Sequence, residues 1–181
     1  MFTLLLIFVL FLILWAEFVN GWTDAPNSIA TVISTRVLSP PKALVMASVL
    51  NTAGAFSGTA VAATIGKGIV QPGAINLVTV GAAMLGIIFW STTAWYWGLP
   101  TSETHALVAG LAGASLATAG PAVLLWEGWG KVILGLVFST FLGLTGGLIT
   151  ISIIYRFFSR SRREVATRGF SRLQIFSAAF M

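Results

Sequence analysis

The sequence has no cysteine, one histidine and five acidic residues in 181, and charged residues make up only 8% of it. Each shortage excludes something. Without cysteine there are no disulfides and no thiolate metal sites. A water-soluble domain carries about a quarter charged residues, so this chain cannot cover a soluble surface, and a soluble enzyme or nucleic-acid binder is excluded. Disorder fails too, because 57% of the residues are hydrophobic and the mean hydropathy is +0.94, far too apolar for an unfolded chain. A polytopic membrane protein remains.

The net charge of +5 is unevenly placed. Six arginines and Glu164 lie between Arg156 and Arg172, while Arg36, Lys42, Lys67 and Lys131 are balanced by Glu17, Asp24, Glu103 and Glu127. The whole excess therefore sits in one segment directly after a long apolar run. That is the mark of a cytoplasmic loop, and contact with anionic lipid headgroups is a sufficient role for it. Nothing else in the sequence favours a nucleic-acid partner.

A spanning helix needs about 20 apolar residues. Segments 43–65, 75–97 and 132–155 meet this with no charged residue. The opening stretch 1–16 reaches span length by taking in 17–19. It lacks a basic leader and an Ala-x-Ala cleavage site, so it reads as a retained first span. Two shorter helices are expected. One is 24–38, stopped by Pro40 and Pro41; the other is 101–119, entered through Gly98 and Pro100 and stopped by Gly120 and Pro121. Trp90, Trp95, Trp97, Trp126, Trp129 and Tyr155 fall where aromatic belts sit at membrane interfaces. Small residues recur every fourth position, as at Gly135, Ser139, Gly143 and Gly147, which serves close helix packing and carries no chemistry. The expected fold is all-α: a polytopic transmembrane helical protein with two short discontinuous or re-entrant helices. The expected division is a membrane region 1–155, a basic loop 156–172 and a further helix start at 173–181.

Both short helices open in polar clusters. In the first, Asn20-Gly21-Trp22-Thr23-Asp24-Ala25-Pro26-Asn27-Ser28, Thr23 or Asp24 is suited to cap a helix with Pro26 in its first turn. Capping accounts for Thr23 and Ser28. It accounts less well for an ionisable Asp24 among apolar helices with Asn27 one turn on, since intramembrane acids are expensive and usually functional. In the second, Gly98-Leu99-Pro100-Thr101-Ser102-Glu103-Thr104-His105, Thr101 or Ser102 caps and Glu103 sits where the helix dipole favours an anion. Free N–H groups of that turn, with three hydroxyls beside them, form an anion cradle. Taken alone, Glu103 is ordinary cap chemistry, and His105 is equally readable as a satisfied core residue. Repetition is the informative part: interrupted helices aimed at the midplane mark secondary-transporter sites.

The same clusters carry a family resemblance. The run NGWTDAPNSIATVISTRVLSP resembles the G-A-N-D-x-A-N-A signature of the inorganic phosphate transporter (PiT) family, and GLPTSETHALVAG resembles its G-L-P-x-S-x-T-H motif. Asp24 and Asn27 fall on the Asp and second Asn of the first motif; Ser102, Thr104 and His105 fall on the second. Thr23 and Glu103 depart from the usual residues. The resemblance implies two inverted repeats, each with both motifs, of which this chain carries one set. Its last residues, SRLQIFSAAFM, resemble the helix entering the second repeat, so the chain reads as an N-terminal half.

On that reading the protein is a symporter of inorganic phosphate in the cytoplasmic membrane, not an enzyme, with a sodium ion or proton as coupling ion and no other cofactor. Thr101, Ser102, Thr104 and Asn27 are the expected phosphate ligands. Asp24, Asn27, Glu103 and His105 are the coupling candidates, with Glu17, one turn before the first cluster, as a further one. Sodium, if bound at Asp24, is the sole metal expected. Partners are phosphate, the bilayer and a second repeat or second chain, homo-oligomers included. The alternatives are a transporter of another oxyanion such as sulfate, or a membrane subunit that transports nothing.

Overall fold

In lipid, an interrupted helix leaves backbone N–H and C=O groups with no water to satisfy them, and the N-terminal helix obeys that constraint. A computed structural model describes residues 2–58, 66, 68–159 and 163–180. Helix α1 (Phe2–Ser34) is one element of 33 residues with Pro26 inside it. The expected break before Asp24 is therefore absent, and neither Thr23 nor Asp24 is a cap. Thr23 instead turns its hydroxyl back to the carbonyls of Val19 and Asn20, at 3.0 and 3.2 Å. Pro26 costs the helix one hydrogen bond, less than a full break would leave unsatisfied. The helix closes in a left-handed turn: Arg36 has φ 58°, Arg36 N–H donates to Ile33 O and Val37 N–H to Val32 O. This is a Schellman ending, here with an arginine where glycine is usual.

Among the described residues the further helices are α2 (Pro40–Ala55), α3 (Leu77–Tyr96), α4 (Glu103–Ala119), α5 (Trp126–Phe158) and α6 (Arg163–Phe180). Single 3₁₀ turns lie at Pro72–Ala74 and Pro121–Val123, and among the described residues there is no strand. Among the described residues, helices α1, α3 and α5 are long and apolar enough to cross a membrane. The span expected at 43–65 is α2, which stops at Ala55, where Phe56 N–H bonds Ala53 O and the Ser57 hydroxyl bonds Gly54 O; 59–65 lie outside the described residues. The basic stretch read as a loop is helical at 156–158, the end of α5, and again from Arg163 in α6.

The chain divides into two compact units, 1–26 with 58–129, and 27–57 with 130–181. In the first, Val9, Leu12, Ala16 and Val19 are the buried residues of α1, spaced three or four apart. Asn76 caps α3, its Oδ1 accepting from Val78 and Thr79 N–H. Helices α3 and α4 form a close hairpin. At Gly110 a Cβ would lie 3.1 Å from the Ala83 carbonyl oxygen, so glycine is what permits the approach. The segments on either side of this hairpin pair through Gln71 N–H to Val123 O and Leu125 N–H to Ile69 O, both 2.9 Å. In the second unit, Ile29, Val32, Ala43, Ala47 and Ala178 form the core. Gln174 on α6 donates to Thr31 O and accepts from the Thr35 hydroxyl, each at 3.1 Å. Large apolar side chains are exposed along the length of α5, the surface expected of a helix facing lipid or other helices.

Candidate functional site

The second polar cluster folds as its local chemistry directs. Gly98 takes φ 67°, a left-handed conformation that glycine adopts without penalty, and turns the chain from α3 towards α4. Ser102 then caps α4, its Oγ accepting from His105 N–H at 3.4 Å, and Glu103 is the first helical residue. At the other end Gly120, φ 77°, and Pro121 stop the helix as expected. The first N–H groups of such a helix have no partner within it and carry partial positive charge.

Side chains of this short stretch separate onto two faces. Thr101, Ser102 and His105 line a cavity of about 460 Å³ whose walls include Trp90, Pro100 and Gly110. No lysine or arginine is among its described lining residues. Any anion there would be held by hydroxyls, the imidazole and backbone N–H groups. Glu103 and Thr104 point elsewhere. They line a second cavity, about 360 Å³, with Glu17 and Asn20 of α1. The grouping of Thr104 with Thr101 and Ser102 expected from sequence is thus not what the structure places together.

Both oxygens of the Glu103 carboxylate are engaged. Ser91 of α3 donates to Oε2 at 2.8 Å, and the Thr23 hydroxyl of α1, whose one hydrogen is shared with the Val19 and Asn20 carbonyls, lies 3.3 Å from Oε1. Ser91 is fully buried, so its hydroxyl has no recourse to water and the bond to a carboxylate is a strong one. Ser91 lies outside both polar clusters. Its signal was the Ser91-Thr92-Thr93 run inside an otherwise apolar span. Aromatic rings approach the same region: Phe11, Trp15, Phe18 and Trp22 follow one another along α1, and Trp22 meets Trp95 of α3 at a centroid distance of 5.9 Å.

Asp24 and Asn27 are exposed residues of α1, Asp24 in the first unit and Asn27 in the second. Ser28, half-buried, lines a separate cavity of the second unit with Asn51 of α2. Among the described residues there is no cluster of three or more His, Cys, Asp or Glu that could hold a metal ion.

A family model described as the phosphate transporter family matches residues 20–178, which include both polar clusters. The chain belongs to the phosphate transporter family. Relatives in that family include a probable low-affinity inorganic phosphate transporter of Bacillus subtilis (strain 168), 38% identical, with 97% of this chain and 54% of the relative covered. A protein of the same description from Streptomyces halstedii is 44% identical, with 91% of this chain and 78% of the relative covered. A solved structure titled the sodium-dependent phosphate transporter superposes with a TM-score of 0.73 at 24% identity, covering 97% of this chain and 54% of that one. At that identity the likeness establishes the fold. The chain spans about half the length of the Bacillus relative and of the solved structure.

Proposed function

We propose that this chain takes part in moving inorganic phosphate across the cytoplasmic membrane in symport with a sodium ion or a proton. One observation carries the reading: a Ser102-capped helix start shares a cavity with Thr101 and His105, in a chain of the phosphate transporter family. Phosphate is held there by hydroxyls, the imidazole and the first N–H groups of α4, which favour an anion without a cationic side chain. Asp24 holds the coupling ion. A bare carboxylate repels an approaching anion, whereas Asp24 protonated or bound to sodium does not, so loading the cation favours loading phosphate. Sodium takes oxygen ligands, which a carboxylate and backbone carbonyls provide. Glu103, with both oxygens held by hydroxyls, is given no ion in this scheme. The relatives' greater length supports a pathway completed by further helices, from a second repeat or a second chain, and the basic residues of 156–172 favour a cytoplasmic side for that stretch.

The test is uptake of labelled phosphate by proteoliposomes under an imposed sodium or proton gradient. Gradient-driven uptake that excess sulfate does not reduce is the expected result. Competition by sulfate moves the assignment to a broader oxyanion, and no gradient-driven uptake overturns it.

A further inference from the structure

Glu103 presents a conflict that the proposed function does not resolve. It is the first residue of α4 and stands between Ser102 and His105, both on the anion cavity. The N-terminal turn that would attract phosphate attracts a carboxylate equally well. A glutamate swung towards Ser102 would occupy the same N–H groups and repel the substrate. Instead the carboxylate lies on the other face, beside the cavity that also holds Glu17. The hydroxyls of Ser91 and Thr23 hold it there, 2.8 and 3.3 Å from its two oxygens. The shorter of the two comes from a side chain with no exposure to solvent, and a buried hydroxyl without an acceptor is costly. Helix α3 has no charged residue of its own to offer Glu103.

We propose that Ser91 is a positioning residue: it keeps the Glu103 carboxylate out of the cavity lined by Thr101, Ser102 and His105, and so sets the affinity for phosphate. Thr23 assists from α1. The proposal rests on the phosphate reading of that cavity.

The experiment compares initial rates of phosphate uptake in proteoliposomes for the wild type, Ser91→Ala, Glu103→Gln and the double variant. Ser91→Ala is expected to raise KM roughly tenfold with little change in kcat, the size of effect one unscreened charge produces at the rim of a site. Glu103→Gln in the Ser91→Ala background is expected to bring KM back towards the wild-type value, because the displaced side chain is then neutral. A purely structural role for Ser91 cannot be relieved by removing a charge elsewhere. Should Ser91→Ala fail to fold, Thr23→Val removes the other hydroxyl at constant shape and is expected to raise KM in the same way. Unchanged KM, or a raised KM that Glu103→Gln does not relieve, overturns the proposal while leaving the transport reading intact. A wild type with no uptake overturns the transport reading, and this inference with it.

Discussion

The Thr23 hydroxyl on α1 lies 3.3 Å from Oε1 of Glu103 on α4, eighty residues away, its one hydrogen shared between that oxygen and the carbonyls of Val19 and Asn20. With the 2.8 Å bond from Ser91 to the other oxygen, a single carboxylate ties the first helix to both arms of the α3–α4 hairpin. Few polar links of this kind exist in an apolar chain, so each one fixes which face of a helix meets which.

The first prediction follows from that link. Glu103→Ala leaves the fully buried Ser91 hydroxyl without its acceptor and should cost about 1–3 kcal/mol of stability. Glu103→Gln keeps an acceptor oxygen and should cost clearly less. Thermal unfolding of both variants in one detergent measures the difference; equal midpoints would mean that the hydroxyl bonds contribute nothing.

Close packing gives a second prediction. Gly128, at the start of α5, is buried, and a Cβ there would collide with the Gly68 carbonyl oxygen. Backbone cannot move aside as a flexible side chain can, so Gly128→Ala should shift the unfolding midpoint down sharply. Gly130, two residues on, has nothing within 4 Å of the same position. Gly130→Ala should be neutral or stabilise by up to about 1 kcal/mol, the difference in helix propensity.

What the sequence made legible divides along the range of the forces involved. The start of α4 at Ser102 and its end at Gly120 and Pro121 were readable because caps and stops act within a few residues. The length of α3 was readable because hydropathy is additive along a span. The break expected near Asp24 was misplaced for a physical reason: Thr23, Asp24 and Pro26 suit a helix start in water, but between apolar segments the hydrogen-bond ladder runs on. The separation of Thr104 from Ser102 follows from helical spacing, since residues two apart do not share a face, whereas the pairing of Ser91 with Glu103 depends on how α3 packs against α4. That partner choice leaves no trace in local spacing.

Asp24 supplies a third prediction. Asn replaces its carboxylate with a neutral group of the same shape, and Asp24 is exposed on α1, so packing should not suffer. Asp24→Asn is expected to reduce gradient-driven phosphate uptake to background while the protein still folds and unfolds cooperatively. Uptake at the wild-type rate would remove Asp24 from the coupling scheme.

Ser102 allows stability and anion binding to be separated at one position. Its Oγ accepts from His105 N–H, and the same side chain lines the cavity with Thr101. Ser102→Ala loses both functions: about 1 kcal/mol of helix capping and a hydroxyl donor for the anion. It should unfold earlier and show a raised KM for phosphate. Asp is as good a cap as Ser, and its charge suits the helix dipole. Ser102→Asp should therefore keep the wild-type unfolding midpoint and yet take up no phosphate, since a fixed negative charge now occupies the N–H groups the substrate needs. If Ser102→Asp transported normally, the start of α4 would be a structural cap alone, and the anion would have to be held elsewhere.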